Sequence, residues 1–498
     1  MCKHASFIFY LSFTLIFHPS NLTLQKMIYN FFKFILSIGL SVFFRRILIH
    51  NKHLLRTDAP LLIVANHPNT FMDPMLIAHL LNQQVYFLAN GGVFNKITKI
   101  LFRQLNMVPI YRKADASTNV GVDMREQNNK AFSTCYEYLG KKRTILIFPE
   151  GSSIIERRLR ELKTGTARIA LGAEFENNFE LNLQILPIGV NYSDATRFRS
   201  EVFINIGEPI SLKDFKEKYN PETAEITENN VNNTGNSSQK SNPVKELTEK
   251  IEEKLLELMI VTDDEVEDKF IQNIEKIYKN RLFEDENISL DAKIKDFELT
   301  KHIVKAAKYF EATNPKVLDN FKIKLDSYLG NLQKLKISDA VFSQSKKNKN
   351  ILVSSLLSML FMTLCFPLFV FGFLNNYLPY KLPSLISRKI TDDETFFAPI
   401  MLASGIVTFI SYYCVVLWAV ETFWLHNFLW LAGYFMLMVL SGFFALFYTA
   451  FFENVKENWQ FISIFYKKNT LISTLVAQRK EIFSFLENAK KEYILSVE

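Results

Sequence analysis

The chain has 498 residues, 48 % of them hydrophobic and 14 % aromatic, with 46 Phe. That excludes a disordered or collagen-like polymer and leaves room for about two to four structural units. A net charge of +7 is a mild excess, which suits an anionic membrane surface or a phosphorylated substrate better than nucleic acid. The four cysteines, Cys2, Cys135, Cys365 and Cys414, lack metal-ligand spacing, so neither a zinc module nor a disulfide framework is expected.

In chain order, residues 1–50 predict N-terminal membrane-associated helices. Phe7–Phe17 follows Lys3 and His4 like a short signal core, but no small-residue cleavage site follows it, and Met27 offers an alternative start. Ile28–Ile49 carries Lys33, closes on Arg45 and Arg46, and predicts an embedded or interfacial helix.

Residues 51–222 alternate short apolar runs with helix-like stretches. Strands are predicted at Pro60–Ala65, Val85–Leu88, Val108–Tyr111, Thr144–Phe148, Ile185–Val190 and Val202–Ile206, and helices at Asp73–Leu81, Asn129–Leu139 and Gly165–Glu174. The expected fold class is an α/β domain with a mostly buried sheet. It carries no dinucleotide or Walker fingerprint. Residues 223–244, rich in Asn and Ser, read as a disordered loop. Residues 245–350 read as a charge-rich helical segment in which KELTEKIEEKLLELM is the clearest amphipathic helix.

A transmembrane region is expected over 351–452. Ile351–Leu374, Thr395–Val420 and Leu425–Phe452 are apolar for the length a bilayer requires, about 20 residues. Trp418, Trp424 and Trp430 sit where interface aromatics do. Lys346, Lys347 and Lys349 before the first span, and Lys456, Lys467 and Lys468 after the last, both favour the cytoplasm. Three full crossings cannot satisfy both, so one segment is expected to be re-entrant or interfacial, with Pro367 marking the first. Residues 453–498 complete the chain as a helical tail.

Three polar clusters follow apolar strands: Asn66–Asp73 after the first, Arg112 after MVPIY, and Pro149–Ser153 after ILIF. Strand carboxyl ends are where α/β sheets build sites. His67 and Asp73 are six positions apart, about 240° around a plain helix. They meet only if His67 lies in the loop and Asp73 in the first helical turn. Pro68 and the capping-box pattern Thr70-x-x-Asp73 permit this. Asp73 would then fix the imidazole tautomer and leave the other nitrogen to take a proton from a substrate hydroxyl. Asp73 is also placed to be a helix cap and nothing more. Glu150-Gly151-Ser152-Ser153 reads as a strand-to-helix turn suited to an anion, with Glu150 able to bond substrate hydroxyls. Arg112 and Lys113 can neutralise a phosphate; the basic run Arg157, Arg158, Arg160 and Lys163 can do so too or be solvated charge.

Together these clusters resemble the glycerolipid acyltransferase family typified by bacterial 1-acylglycerol-3-phosphate acyltransferases. NHPNTFMDP resembles its His–Asp block, VPIYR its second block, FPEGSS its third and ILPIGVNY its fourth; the flanks KTGTARIAL and FINIGEPI also fit. The resemblance covers about residues 50–215. Here five residues separate His and Asp where the family commonly has four. That spacing resembles the branch of fungal-type glycerol-3-phosphate/dihydroxyacetone-phosphate acyltransferases, which carry a helical extension and C-terminal membrane spans.

The resemblance implies a glycerolipid-acyltransferase-like α/β domain followed by a helical segment and membrane helices. It makes His67 the general base and Asp73 its orienting partner. Arg112, Glu150, Gly151 and Ser152 would bind the glycerol phosphate, and Pro187 would shape the acyl or acceptor pocket. It implies no metal and no cofactor. The donor would be an acyl thioester of CoA or acyl carrier protein, and the acceptor glycerol 3-phosphate or lysophosphatidic acid. Membrane phospholipid, not nucleic acid, would be the surrounding partner, with the catalytic domain at the cytoplasmic face. The alternatives are a non-catalytic lipid-binding membrane protein on the same fold, and a transporter, which the scarcity of ionisable groups in the spans disfavours.

Overall fold

The computed structural model describes residues 22–55, 58–94, 102, 104–111, 124–219, 242–282, 290–342, 351–424, 426–467 and 469–497. The signal-like run at 7–17, Cys2, Arg112, Lys113, the Asn/Ser-rich stretch from 223 to 241 and the basic flank at 346–349 lie outside them. The chain forms two compact units. The first runs to Met259 and includes Thr391–Leu402; the second comprises Ile260–Ile390 and Ala403–Glu498.

The first unit opens with α1 (Leu22–Phe43) and β1 (Arg46–His50). The helix expected to continue to Ile49 thus ends six residues earlier. Distant main chain accounts for this: Arg199 N–H donates to Phe43 O (2.7 Å) and Arg45 N–H to Ser200 O (2.9 Å). The apolar run then pairs as a strand, parallel to β7 (Glu201–Ile206).

The other strands are β2 (Leu61–Ala65), β3 (Val85–Asn90), β4 (Met107–Ile110), β5 (Thr144–Ile147), β6 (Gln184–Tyr192) and β8 (Ile210–Ser211). Among the described residues they make one eight-stranded sheet, ordered β1-β7-β6-β2-β5-β3-β4, with β8 on β6. Neighbours are parallel except where β6 meets β7 and β8. Every residue of β2 and β5 is buried, which is why these strands read as unbroken apolar runs. Pro187 sits inside β6 yet orphans no partner, because its carbonyl faces Gly207 (2.9 Å), in the gap where β6 passes from β8 to β7.

Helices α2 (Met72–Leu80), α3 (Met124–Gly140) and α4 (Gly165–Glu176) connect the strands. The amphipathic helix anticipated in the helical segment, α5 (Pro243–Leu258), packs with the sheet. It is capped by Asn242 and buries Val244, Leu247, Ile251 and Leu255 in the sheet's own core. Each such side chain contributes about 1.5–3 kcal/mol. Its approach explains Gly189, where a Cβ would lie 2.2 Å from Leu258 O. Cys135 is buried in the same core, and burial pushes its thiol up to about 12, so it is an inert packing group.

The second unit holds α6 (Glu265–Leu282), α7 (Leu290–Thr313), α8 (Pro315–Leu335), α9 (Ile351–Ile390), most of α10 (Phe397–Phe423), α11 (Phe428–Lys467) and α12 (Asn469–Val497). Ile274, Leu325, Tyr328, Phe461, Leu475 and Ile482 share one hydrophobic core. Among the described residues, three helices are long and apolar enough to cross a membrane: Val353–Ile390, Glu394–Phe423 and Phe428–Ile464. Within this unit α9 and α11 run antiparallel, tied by Asn376 Nδ2 to Met438 O (3.1 Å) and by the Tyr448 hydroxyl to Met362 O (3.0 Å). Such polar ties suit a setting without water to compete. Pro367, Pro379 and Pro383 lie inside the continuous α9. The Pro379 carbonyl, deprived of its helical N–H by Pro383, accepts the Thr408 hydroxyl at 3.4 Å.

Candidate active site

The site is built at the carboxyl ends of β2, β5 and β6. The Asn66 side chain pairs with both main-chain groups of Val190, donating to its carbonyl (3.0 Å) and accepting its N–H (2.7 Å), and so staples β2 to β6 where the loop departs. His67 and Pro68 follow in irregular backbone, and Asp73 is the second residue of α2. This is the arrangement the six-residue spacing requires.

His67 Nδ1 lies 2.8 Å from Asp73 Oδ2. A carboxylate acceptor assigns the proton to Nδ1, so Nε2 of the neutral ring is the bare nitrogen. The ring stacks on Phe148 at 4.0 Å and 14°, which fixes its plane. The imidazole side chain is 16 % exposed and Asp73 is 0 % exposed: the ring reaches solvent and the carboxylate does not.

Asp73 is not a capping-box residue. The Thr70 hydroxyl, expected at the helix start, instead donates to Thr395 O at 2.7 Å. Asp73 Oδ2 also accepts the Asn69 N–H (2.7 Å), and its Oδ1 accepts the Tyr192 hydroxyl (2.6 Å). Three donors therefore satisfy a fully buried carboxylate, the condition under which a buried charge persists. Burial first, and the Asp73 charge second, raise the Tyr192 hydroxyl well above its usual range, so it stays a neutral donor.

Glu150 faces the main chain. Its Oε1 accepts the His67 N–H (2.8 Å) and its Oε2 the Arg160 N–H (3.1 Å). Burial raises its carboxyl above the ordinary range, and the two backbone donors oppose that shift. With each oxygen accepting one main-chain N–H, Glu150 pins two loops together. Gly151 takes φ 72°, which suits the residue without a Cβ. Ser152 Oγ accepts from Arg160 Nη1 at 2.6 Å. The loop closes back through Ile154 N–H to His67 O (3.2 Å) and Lys163 N–H to Pro149 O (2.8 Å).

Of the sequence-derived site residues, the structure brings together His67, Asp73, Glu150, Gly151 and Ser152. Arg112 lies outside the described residues, and Pro187 sits in the sheet opposite Val64 and bonds to Gly207. Of the basic run, Arg158 pairs with Glu156 (2.8 Å) and Lys163 with Glu161 (3.5 Å), while half-buried Arg160 joins the Glu150 turn. Three participants were not anticipated: Phe148, Asn69 and Tyr192. All stand inside the quoted motifs, so the motif boundaries marked them without giving their roles. Thr395 and Phe396 had no signal; the Phe396 ring lies 6.2 Å from that of Phe71. Among the described residues no group of three or more His, Cys, Asp or Glu is placed to hold a metal ion.

Residues 46–191 match the family model described as Acyltransferase. Among curated proteins, Glycerol-3-phosphate O-acyltransferase 1 of Saccharomyces cerevisiae is 27 % identical over 215 residues, 43 % of this chain and 25 % of that protein. Glycerol-3-phosphate O-acyltransferase 2 of the same yeast is 32 % identical over 93 residues, 19 % of this chain and 12 % of that protein. The matched segments thus span a quarter or less of these relatives. Among solved structures, the 1-acyl-sn-glycerophosphate (LPA) acyltransferase PlsC from Thermotoga maritima is 19 % identical with a TM-score of 0.31, covering 51 % of this chain and 86 % of that one.

Proposed function

We propose that the protein is a membrane-bound O-acyltransferase that moves a fatty acyl group from an acyl thioester to a hydroxyl of a glycerol-phosphate acceptor. The observation that carries this reading is the His67 Nδ1–Asp73 bond, on an imidazole side chain that is partly exposed and leaves Nε2 as its other nitrogen. Nε2 takes the proton of the acceptor hydroxyl as its oxygen attacks the thioester carbonyl. The tetrahedral intermediate collapses, the C–S bond breaks, and the imidazolium returns the proton to the departing thiolate. No protein nucleophile is needed. Asp73 stabilises the imidazolium and holds the tautomer. Arg160, beside Ser152 and Gly151, supplies a guanidinium suited to the acceptor phosphate, with Arg112 as its expected companion.

The names of the yeast relatives favour glycerol 3-phosphate as the acceptor, and CoA or acyl carrier protein remains the proposed carrier of the donor. The domain is assigned to the cytoplasmic face. The basic residues Lys346, Lys347 and Lys349, just ahead of the first apolar helix, support this assignment by charge.

The test is an assay of the full chain in phospholipid vesicles with oleoyl-CoA, offering glycerol 3-phosphate, dihydroxyacetone phosphate and lysophosphatidic acid in parallel. Turnover that His67→Ala abolishes while membrane insertion persists is expected. Lipid binding without turnover of any acceptor would instead favour the non-catalytic reading.

A further inference from the structure

We propose that Tyr192 is a positioning residue of the catalytic dyad: from the end of β6 it holds the Asp73 carboxylate in the one orientation that presents Oδ2 to His67, and it sets how strongly that carboxylate supports the imidazolium. This rests on the reading of His67 as the general base. A carboxylate can rotate about its last side-chain bond. Rotation is blocked here because the two oxygens carry different donors from different elements: Oδ2 the Asn69 amide and His67 Nδ1, and Oδ1 the Tyr192 hydroxyl, 119 positions away.

The phenol is itself held. Tyr192 pairs in register with Val202 of β7, two residues beyond the Asn66–Val190 staple, and its ring lies 6.0 Å from that of Phe44. Both ends of the Asp73–Tyr192 bond are thus anchored in the sheet and its helices, while the bond from Asp73 to His67 leads to the partly exposed imidazole. The titratable groups around the imidazole are Asp73 on α2, Glu150 after β5 and Tyr192 on β6, with Arg160 beyond Glu150.

The sign of the effect follows. The Tyr192 O–H draws charge from the carboxylate. Without it, more negative charge faces Nδ1, the imidazolium is favoured, and His67 is protonated at higher pH. The base is then more basic yet less well oriented, a combination that generic destabilisation does not produce.

The experiment is steady-state kinetics of the full chain in phospholipid vesicles with oleoyl-CoA and the acceptor that turns over. Tyr192→Phe is expected to lower kcat about tenfold, leave KM for the acceptor within about twofold, and move the acid limb of the kcat/KM profile to higher pH. In an Asp73→Asn background the same change is expected to cost nothing further, since Tyr192 acts only through Asp73. Should Tyr192→Phe fail to fold, 3,5-difluorotyrosine at position 192 keeps the hydroxyl but makes it a stronger donor, and the acid limb is then expected to move to lower pH. Wild-type kcat with an unmoved acid limb in the folded variant, an unmoved limb in the fluorinated protein, or full additivity with Asp73→Asn overturns the proposal. Full activity in His67→Ala overturns the underlying reading instead.

Discussion

The backbone of His67 and the side chain of Glu150 are joined by a 2.8 Å hydrogen bond, and the other Glu150 oxygen holds the Arg160 N–H. One buried carboxylate therefore sets the separation between the loop that carries the imidazole and the loop that carries the guanidinium. Glu150→Ala would orphan two partly buried N–H groups at about 1 kcal/mol each and let the loops part. We expect a lower melting temperature together with a fall in kcat/KM, read by thermal unfolding and by the vesicle assay.

Glu150 also gives a pH signature. Its carboxyl is raised above the ordinary 4.5, so its protonated form is favoured in the folded state. The stability this adds is complete below pH 4.5 and is lost as pH rises through the raised folded value. Glu150→Gln mimics the protonated group and lacks that loss. The stability difference between the variant and the wild type should therefore shift in the variant's favour as pH climbs from 4.5 toward neutrality. Thermal melts across that range check it; a difference independent of pH contradicts it.

Asp73→Asn keeps the shape of the dyad and changes its hydrogens. Asn69 N–H and the Tyr192 hydroxyl both require acceptors, so the new amide nitrogen cannot satisfy every contact that the two carboxylate oxygens satisfied. Turned toward Nδ1, it would force the imidazole proton onto Nε2 and remove the free lone pair. A loss of about 10²–10⁴ in kcat is expected, with the fold retained, measured by single-turnover acyl transfer.

How much of this was legible depends on where the partners lie in the chain. β2 and β5 were readable because burial on both faces leaves an unbroken apolar run, and the His67–Asp73 pair because six residues and a proline bound its geometry. β1 was hidden because Arg46–His50 continues the apolar run of α1, and only Arg199 and Ser200, far along the chain, end the helix. Thr70 read as half of a capping box because a hydroxyl three residues before an acid is a local signal, whereas its acceptor is Thr395. The loop-pinning role of Glu150 was hidden because its partners are main-chain amides, to which sequence is blind. Asp73–Tyr192 joins two quoted motifs, but no spacing rule links positions 119 apart.

The linker between α9 and α10 reaches the loop between His67 and Asp73 within the first unit, through Thr70 Oγ1 to Thr395 O and the Phe71–Phe396 ring pair. Thr70→Val keeps the shape and removes the donor, leaving the Thr395 carbonyl without it, at a cost of about 1 kcal/mol. Because Thr70 stands between His67 and Asp73, we expect a several-fold fall in kcat in the vesicle assay. Phe396→Ala should act in the same direction, and the double variant should lose less than the product of the two, since both loosen one docked segment.

In the second unit, Asp339 is buried and bound by Arg479 through Nε (2.7 Å) and Nη2 (3.0 Å), with the Tyr328 hydroxyl at 2.6 Å. Arg479 lies on α12 and Tyr328 on α8, so this triad ties the C-terminal helix to the segment before the apolar helices. Arg479→Met removes the balancing charge but not the carboxylate, and a buried acid held by one phenol costs about 3–5 kcal/mol. Arg479→Met combined with Asp339→Leu replaces the pair by apolar groups and should recover most of that loss, because the penalty lies in the unpaired charge rather than in the missing contact. The measurement is denaturant unfolding of the full chain in detergent. Equal instability of the single and double variants would show instead that the geometry of the bidentate bond, not the charge, holds α12 in place.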